Sequence, residues 1–152
     1  MYLFVKLLHV ASVVLFLGNI ITGLYWHAHA LRTRDPVLIA HAMGGIIRSD
    51  RLFTVPGVAA ILVTGIGLAQ LGGYPLLRTG WILWALILFS ISGLAFMALV
   101  GPLQRRLLSL AQPGAFQYEA YLSLTRKWEL WGAVALVTPL AAMALMILKP
   151  TF

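Results

Sequence analysis

Apolar residues fall along this chain in long runs, not in the alternating or 3.6-residue stripes of half-buried strands and helices. Four runs match the ~20 residues that an α-helix needs to cross a bilayer core. They extend from Leu3 to Tyr25, Phe53 to Leu71, Trp81 to Pro102 and Leu130 to Leu148. A long polar stretch (Trp26 to Leu52), a short turn region with Gly-Gly-Tyr-Pro (Gly72 to Gly80) and a second polar stretch (Leu103 to Glu129) separate them. The pattern predicts an all-α, four-transmembrane-helix bundle that forms a single integral membrane domain over 1–152.

Neither polar stretch reads as plain coil. Asp35-Pro36 is an N-cap and N1 pair, so Val37 to Ile47 is predicted as a short helix that Gly44-Gly45 weakens at its end. In the second stretch Pro113-Gly114 is the strong breaker. The third helix is expected to run on to about Ala111, and an amphipathic run from Phe116 leads into the fourth span.

Charge sets the orientation. Arg32, Arg34, Arg48, Arg51, Arg105, Arg106, Arg126 and Lys127 fall on one side, whereas Lys6, Arg78 and Lys149 fall on the other. Loops rich in Lys and Arg stay in the cytoplasm, so both termini are expected outside, with two cytoplasmic loops carrying the short helical extensions. The location expected is the inner membrane of a cell, multi-pass. Ala28-His29-Ala30 has the form of a signal-peptidase site, but the preceding apolar run is too long for an h-region and Arg32 and Arg34 oppose export. The first helix is therefore expected to be retained.

Composition narrows the function classes. Of the residues, 61% are hydrophobic and 10% charged, and the mean hydropathy is +0.94, which rules out an ordinary soluble domain. With no Cys, disulfides, thiolate metal sites, Fe–S clusters and cysteine nucleophiles are excluded. The net charge of +7 is accounted for by topology and anionic headgroups, so no nucleic acid is expected. The lipid bilayer is the expected partner, with a protein partner or a homo-oligomer left open.

Within a bilayer, small residues let helices approach closely. Gly57, Ala60, Thr64 and Gly67 share a face of the second helix, Ser90, Gly93, Met97 and Gly101 one of the third, and Gly132, Ala135, Pro139, Ala142 and Met146 one of the fourth. On the first helix His9, Ser12, Phe16, Asn19, Gly23 and Trp26 lie within an arc of ~100°. His9 lies about 9 Å inside the outer boundary at ~1.5 Å per residue, and an ionisable residue within a span is a functional candidate. It can hydrogen-bond within the bundle, ligate a haem or metal, or serve a proton or quinone reaction. Lys6 lies one turn away and Met143 at a similar depth on the fourth helix, so His9, Lys6 and Met143 are the candidate cofactor-binding set, with His9 the metal ligand. His27, about 27 Å from His9, and His29 and His41 are expected to be solvated or interfacial.

Lys6-Leu7-Leu8-His9, Arg51-Leu52-Phe53-Thr54-Val55-Pro56-Gly57, Thr64-Gly65-Ile66-Gly67-Leu68, Arg126-Lys127-Trp128-Glu129 and Met146-Ile147-Leu148-Lys149-Pro150 form an ordered series over the whole chain. That series resembles a bacterial family of predicted integral membrane proteins of unknown function. More distantly it is similar to the haem-dependent membrane protoporphyrinogen oxidase and to the copper-resistance D-type membrane domain. The resemblance implies a four-helix scaffold on which the first-helix histidine, here His9, ligates haem b. The oxidase's His-x-Lys cluster on the third helix is replaced by Trp81-Ile82-Leu83-Trp84-Ala85-Leu86, so the likeness extends to scaffold and His9 rather than to oxidase activity. Arg126 and Glu129 match the family's pair before the fourth helix; Glu129 is alternatively structural, paired to Arg126 or Arg51.

Two function classes follow. One is a haem b-binding redox protein that passes electrons to quinone or a partner protein. The other is a non-catalytic anchor or accessory subunit without cofactor. Transport of copper or a small solute is disfavoured, because Met1, Met43, Met97, Met143 and Met146 form no relay across the bilayer. The topology is testable in this Cys-free chain: single cysteines at Thr79 and Gln112 should react with impermeant maleimide from opposite sides, Thr79 from outside. Labelling of both from one face would refute the four-span count.

Overall fold

The computed structural model describes residues 1–112, 114 and 116–150. Four long helices account for nearly all of them: α1 (Tyr2–Thr33), α2 (Pro36–Leu71), α3 (Gly80–Leu110) and α4 (Tyr118–Leu148). At 1.5 Å per residue they are roughly 46–54 Å long, well beyond the ~30 Å hydrocarbon core. All four are long and apolar enough to cross a membrane. Leu3, Val14, Val63, Leu94 and Ile147 on their outer faces are exposed, as lipid-facing side chains are.

The polar stretches are thus mostly helix. The first span continues to Thr33, where Arg34 turns the chain in a left-handed conformation (φ 56°). Asp35 then caps α2 as expected, its Oδ1 accepting the Val37 N–H at 2.8 Å. Gly44-Gly45 does not end that helix. Tertiary packing outweighs the ~1 kcal/mol that each glycine costs in a helix interior: Ile39, Met43 and Ile46 are buried against Ala30, Leu107 and Tyr121. The third helix ends at Leu110, and Pro113 lies outside the described residues.

Two of the helices contain a widened turn. Residues Asp50–Thr54 of α2 and Phe96–Val100 of α3 form π-helical turns, closed by Val55 N–H on Asp50 C=O and Gly101 N–H on Phe96 C=O. Each precedes a proline by two residues, Pro56 and Pro102. In an α-helix a proline ring clashes with the carbonyl four residues back; the wider turn relieves that crowding. Pro139 in α4 is handled differently. It leaves the Ala135 carbonyl without its usual donor, and Ser92 Oγ of α3 donates to that oxygen at 2.6 Å.

The bundle has two unlike halves. At the end carrying the Arg-rich segments, called here the basic end, all four helices converge around Ile39, Met43, Leu107, Tyr121 and Trp128. At the opposite, terminal end α1 packs on α2 and α3 on α4, while the backbone of residues 55–71 of α2 approaches neither α3 nor α4 and that of residues 80–95 of α3 does not approach α1. Side chains close the gap between the pairs midway, where Phe16 meets Phe89 with ring centroids 5.8 Å apart.

The small-residue seam is borne out on α4, where Gly132, Ala135, Pro139 and Ala142 are buried; that of α2 is half-buried, with Gly57 beside Phe16 and Gly67 beside Val5 of α1. On α3 the seam requires correction: Met97 is 77% exposed, and Ile82, Ala85, Ser92 and Ala95 face inward instead. Ser90 and Gly93 lie on the same regular helical stretch as those inward residues, before the π turn, so small size alone picked the wrong face of a helix whose inner stripe is set by packing on α4. Ser92→Ala, which leaves the Ala135 carbonyl unpaired, should destabilise the protein by about 1–3 kcal/mol in thermal unfolding in detergent. Ser123→Ala, at an exposed hydroxyl on α4, should be nearly neutral.

Candidate functional site

The splayed terminal half encloses a cleft of about 560 Å³, within the range of small-molecule and cofactor sites. Phe16 and Phe89 lie at its inner limit, and Val13, Ile61, Ile82, Leu86, Pro139 and Met146 are among its walls. Lys6, His9 and Met143, the residues singled out from sequence, all line it. Lys149 lines it too, its ammonium 5.3 Å from the centre of the Trp81 ring and 5.7 Å from that of Tyr74. Two cations therefore stand at the mouth of an otherwise apolar recess.

His9 is held from α2. Its Nδ1 lies 2.9 Å from Thr64 Oγ1. The single Thr64 hydroxyl hydrogen is given to the Ala60 carbonyl, so Thr64 accepts and His9 Nδ1–H donates. That assignment fixes the tautomer and leaves the Nε2 lone pair uncommitted, the arrangement that metal-ligating histidines use. Gly65 makes room for the ring: a Cβ there would come within 3.1 Å of His9 Cε1. The motif Thr64-Gly65 thus supplies both an acceptor and a gap for one imidazole. The side chains present fit a cofactor bearing a metal that takes one neutral nitrogen ligand and an anionic edge.

A second polar group lies nearer the basic end, and sequence reasoning missed it. Asp50 is buried at the start of the α2 π turn. Its Oδ1 accepts from Asn19 Nδ2 at 2.9 Å and Thr54 Oγ1 at 2.8 Å, and its Oδ2 from Gln104 Nε2 at 2.7 Å. Three helices thereby meet on one carboxylate. The available signal was the polar Asn19 on the first-helix arc together with Gln104 just beyond the third span, but nothing in their spacing reveals that they share a partner.

His27 corrects another expectation. It is fully buried rather than solvated, with Nε2 2.9 Å from Tyr121 Oη and its ring 4.7 Å from that of Trp128. The first-helix arc is correspondingly shifted, since Trp26 is 53% exposed. His29 and His41 are exposed as expected. No group of three His, Asp or Glu able to hold a metal occurs among the described residues. Arg126, Glu129 and Arg51 are all exposed, and no ion pair joins Glu129 to either arginine.

A family model described as predicted integral membrane protein (DUF2269) matches residues 3–150. The chain belongs to that family. No curated protein matches it, and no solved structure does. Thr64→Val should release the His9 tautomer: imidazole 15N NMR of the wild type is expected to show Nδ1 protonated and Nε2 bare, and the variant to show a mixture. A wild-type spectrum with Nε2 protonated would refute the assignment.

Proposed function

We propose that this integral membrane protein is a haem b-binding redox protein whose cofactor would be held in the terminal-end cleft by His9 Nε2. The observation that carries the reading is the His9–Thr64 contact, which leaves a neutral, oriented imidazole nitrogen free in an apolar recess. Lys6 and Lys149 at the mouth are suited to pair with propionates, and Met143 offers a thioether from α4 as a second, weak ligand. Haem supplies one-electron chemistry when bound.

The chain's own part is binding, orientation and exclusion of water. Thr64 holds the imidazole proton on Nδ1. Phe16 and Phe89 close the recess toward the middle of the bundle, and the aliphatic walls lower the local dielectric, which tunes a haem potential. Tyr74 and Trp81, stacked edge to face at 5.4 Å, keep the Lys149 ammonium beside the mouth by cation–π attraction.

Protein purified in mild detergent from haem-replete cells should show a Soret band. His9→Ala should abolish or strongly shift it while the protein remains folded, and Met143→Leu should alter the spin state or potential. His29→Ala and His41→Ala should leave the spectrum unchanged. A folded wild type without a Soret band would refute the reading and favour the cofactor-free anchor or accessory subunit.

A further inference from the structure

Asp50 is the one carboxylate that the bundle encloses among the described residues; Asp35, Glu119 and Glu129 are exposed. Its partners are all neutral. α1 presents Asn19, α3 Gln104 and α2 itself Thr54, and α4 presents Trp128 across a small cavity. Arg51, Arg105 and Glu129, each next in sequence to one of these lining residues, stand exposed on the outside, and no Lys, Arg or His lines the cavity. A carboxylate buried in a membrane bundle without a cationic partner is costly as a permanent charge. Such a group is instead neutralised by a proton.

The cavity supplies the means of exchange. It has a volume of about 20 Å³, room for roughly one water, and Asp50, Asn19, Gln104 and Trp128 all line it. Trp128 is 3% exposed and its Nε1–H has no partner. As a pure donor, it calls for an acceptor that the protein does not provide. A single water in the cavity would meet that need and donate in turn to the carboxylate. His27, whose ring lies 4.7 Å from that of Trp128, and Thr125 also carry buried unpaired atoms, Nδ1 and Oγ1. Both π turns border the same cavity, through Asp50 on α2 and through Phe96 and Val100 on α3. Wide turns of this kind frequent functional sites.

We propose that Asp50 is a reversible proton-binding site, exchanging with water in the adjoining cavity, and that the protein couples its function to this protonation. In the step, an O–H bond forms at an Asp50 carboxyl oxygen as one breaks on a hydronium in the cavity, leaving a neutral water; no electrons are transferred. The groups facing the carboxylate are N–H and O–H donors, which suit a carboxyl that alternates between charged and neutral but oppose a metal cation. This inference does not depend on a cofactor at His9.

Infrared spectroscopy of the wild type in lipid nanodiscs tests it directly. A protonated-carboxyl C=O band should grow as the pH is lowered, shift in D₂O, and shift again when aspartate is 13C-labelled. The chain has only two aspartates, so the band should survive in Asp35→Asn, which removes the exposed carboxyl, and vanish when Asp50→Asn is added to it. If Asp50→Asn does not fold, the labelled Asp35→Asn protein alone gives the assignment. Gln104→Leu removes a donor to the charged form and should raise the proton affinity roughly tenfold. The proposal is overturned if no aspartate band titrates in folded Asp35→Asn protein, if the band persists when Asp50→Asn is added to Asp35→Asn, or if it responds to sodium ions at constant pH.

Discussion

A carboxylate enclosed by helices in a lipid environment must find its hydrogen bonds within the protein, because water is scarce and unmet polar groups cost several kcal/mol. Asp50 meets that demand by drawing Asn19 of α1 and Gln104 of α3 onto α2. The basic half of the bundle is therefore pinned at one point shared by three helices. Apolar packing around Met43, Leu107 and Tyr121 adds to it, but hydrocarbon side chains gain little from leaving lipid for one another. The directional bonds are what distinguish this arrangement from other packings of four apolar helices.

The convergence at one end and the separation at the other belong together. Past the Phe16–Phe89 contact the helices associate only in the pairs α1–α2 and α3–α4, and the gap between the pairs is the cleft that His9 lines. Prolines help to set this geometry. Pro56 and Pro102 each follow a π turn, and both turns lie in the closed half, bordering the small cavity beside Asp50. Pro139 is compensated by Ser92, a bond that locks α3 to α4 as a rigid wall. The two polar sites consequently occupy different media: His9 faces a recess large enough for a ligand, while Asp50 faces a space for about one water.

Much of this was legible in the residues. Run length determined the four helices, since a ~30 Å core demands ~20 apolar residues whatever their neighbours, and the Asp35-Pro36 cap follows from local backbone chemistry alone. His9, Lys6 and Met143 stood out because ionisable and thioether side chains at matched depth are few in so apolar a chain, and they do line one cleft. What the sequence could not determine is rotation about each helix axis and the partner across it. The inner face of α3, the burial of His27 against Tyr121, the acceptor for His9 on Thr64 and the meeting of Asn19, Asp50 and Gln104 all depend on contacts between residues 31 to 94 positions apart. Local spacing carries no record of such contacts, and each π turn shifts the register on which a helical-face argument relies. Composition and run length settled the secondary structure because those are local and solvent-driven; tertiary packing alone decided which polar atoms would meet.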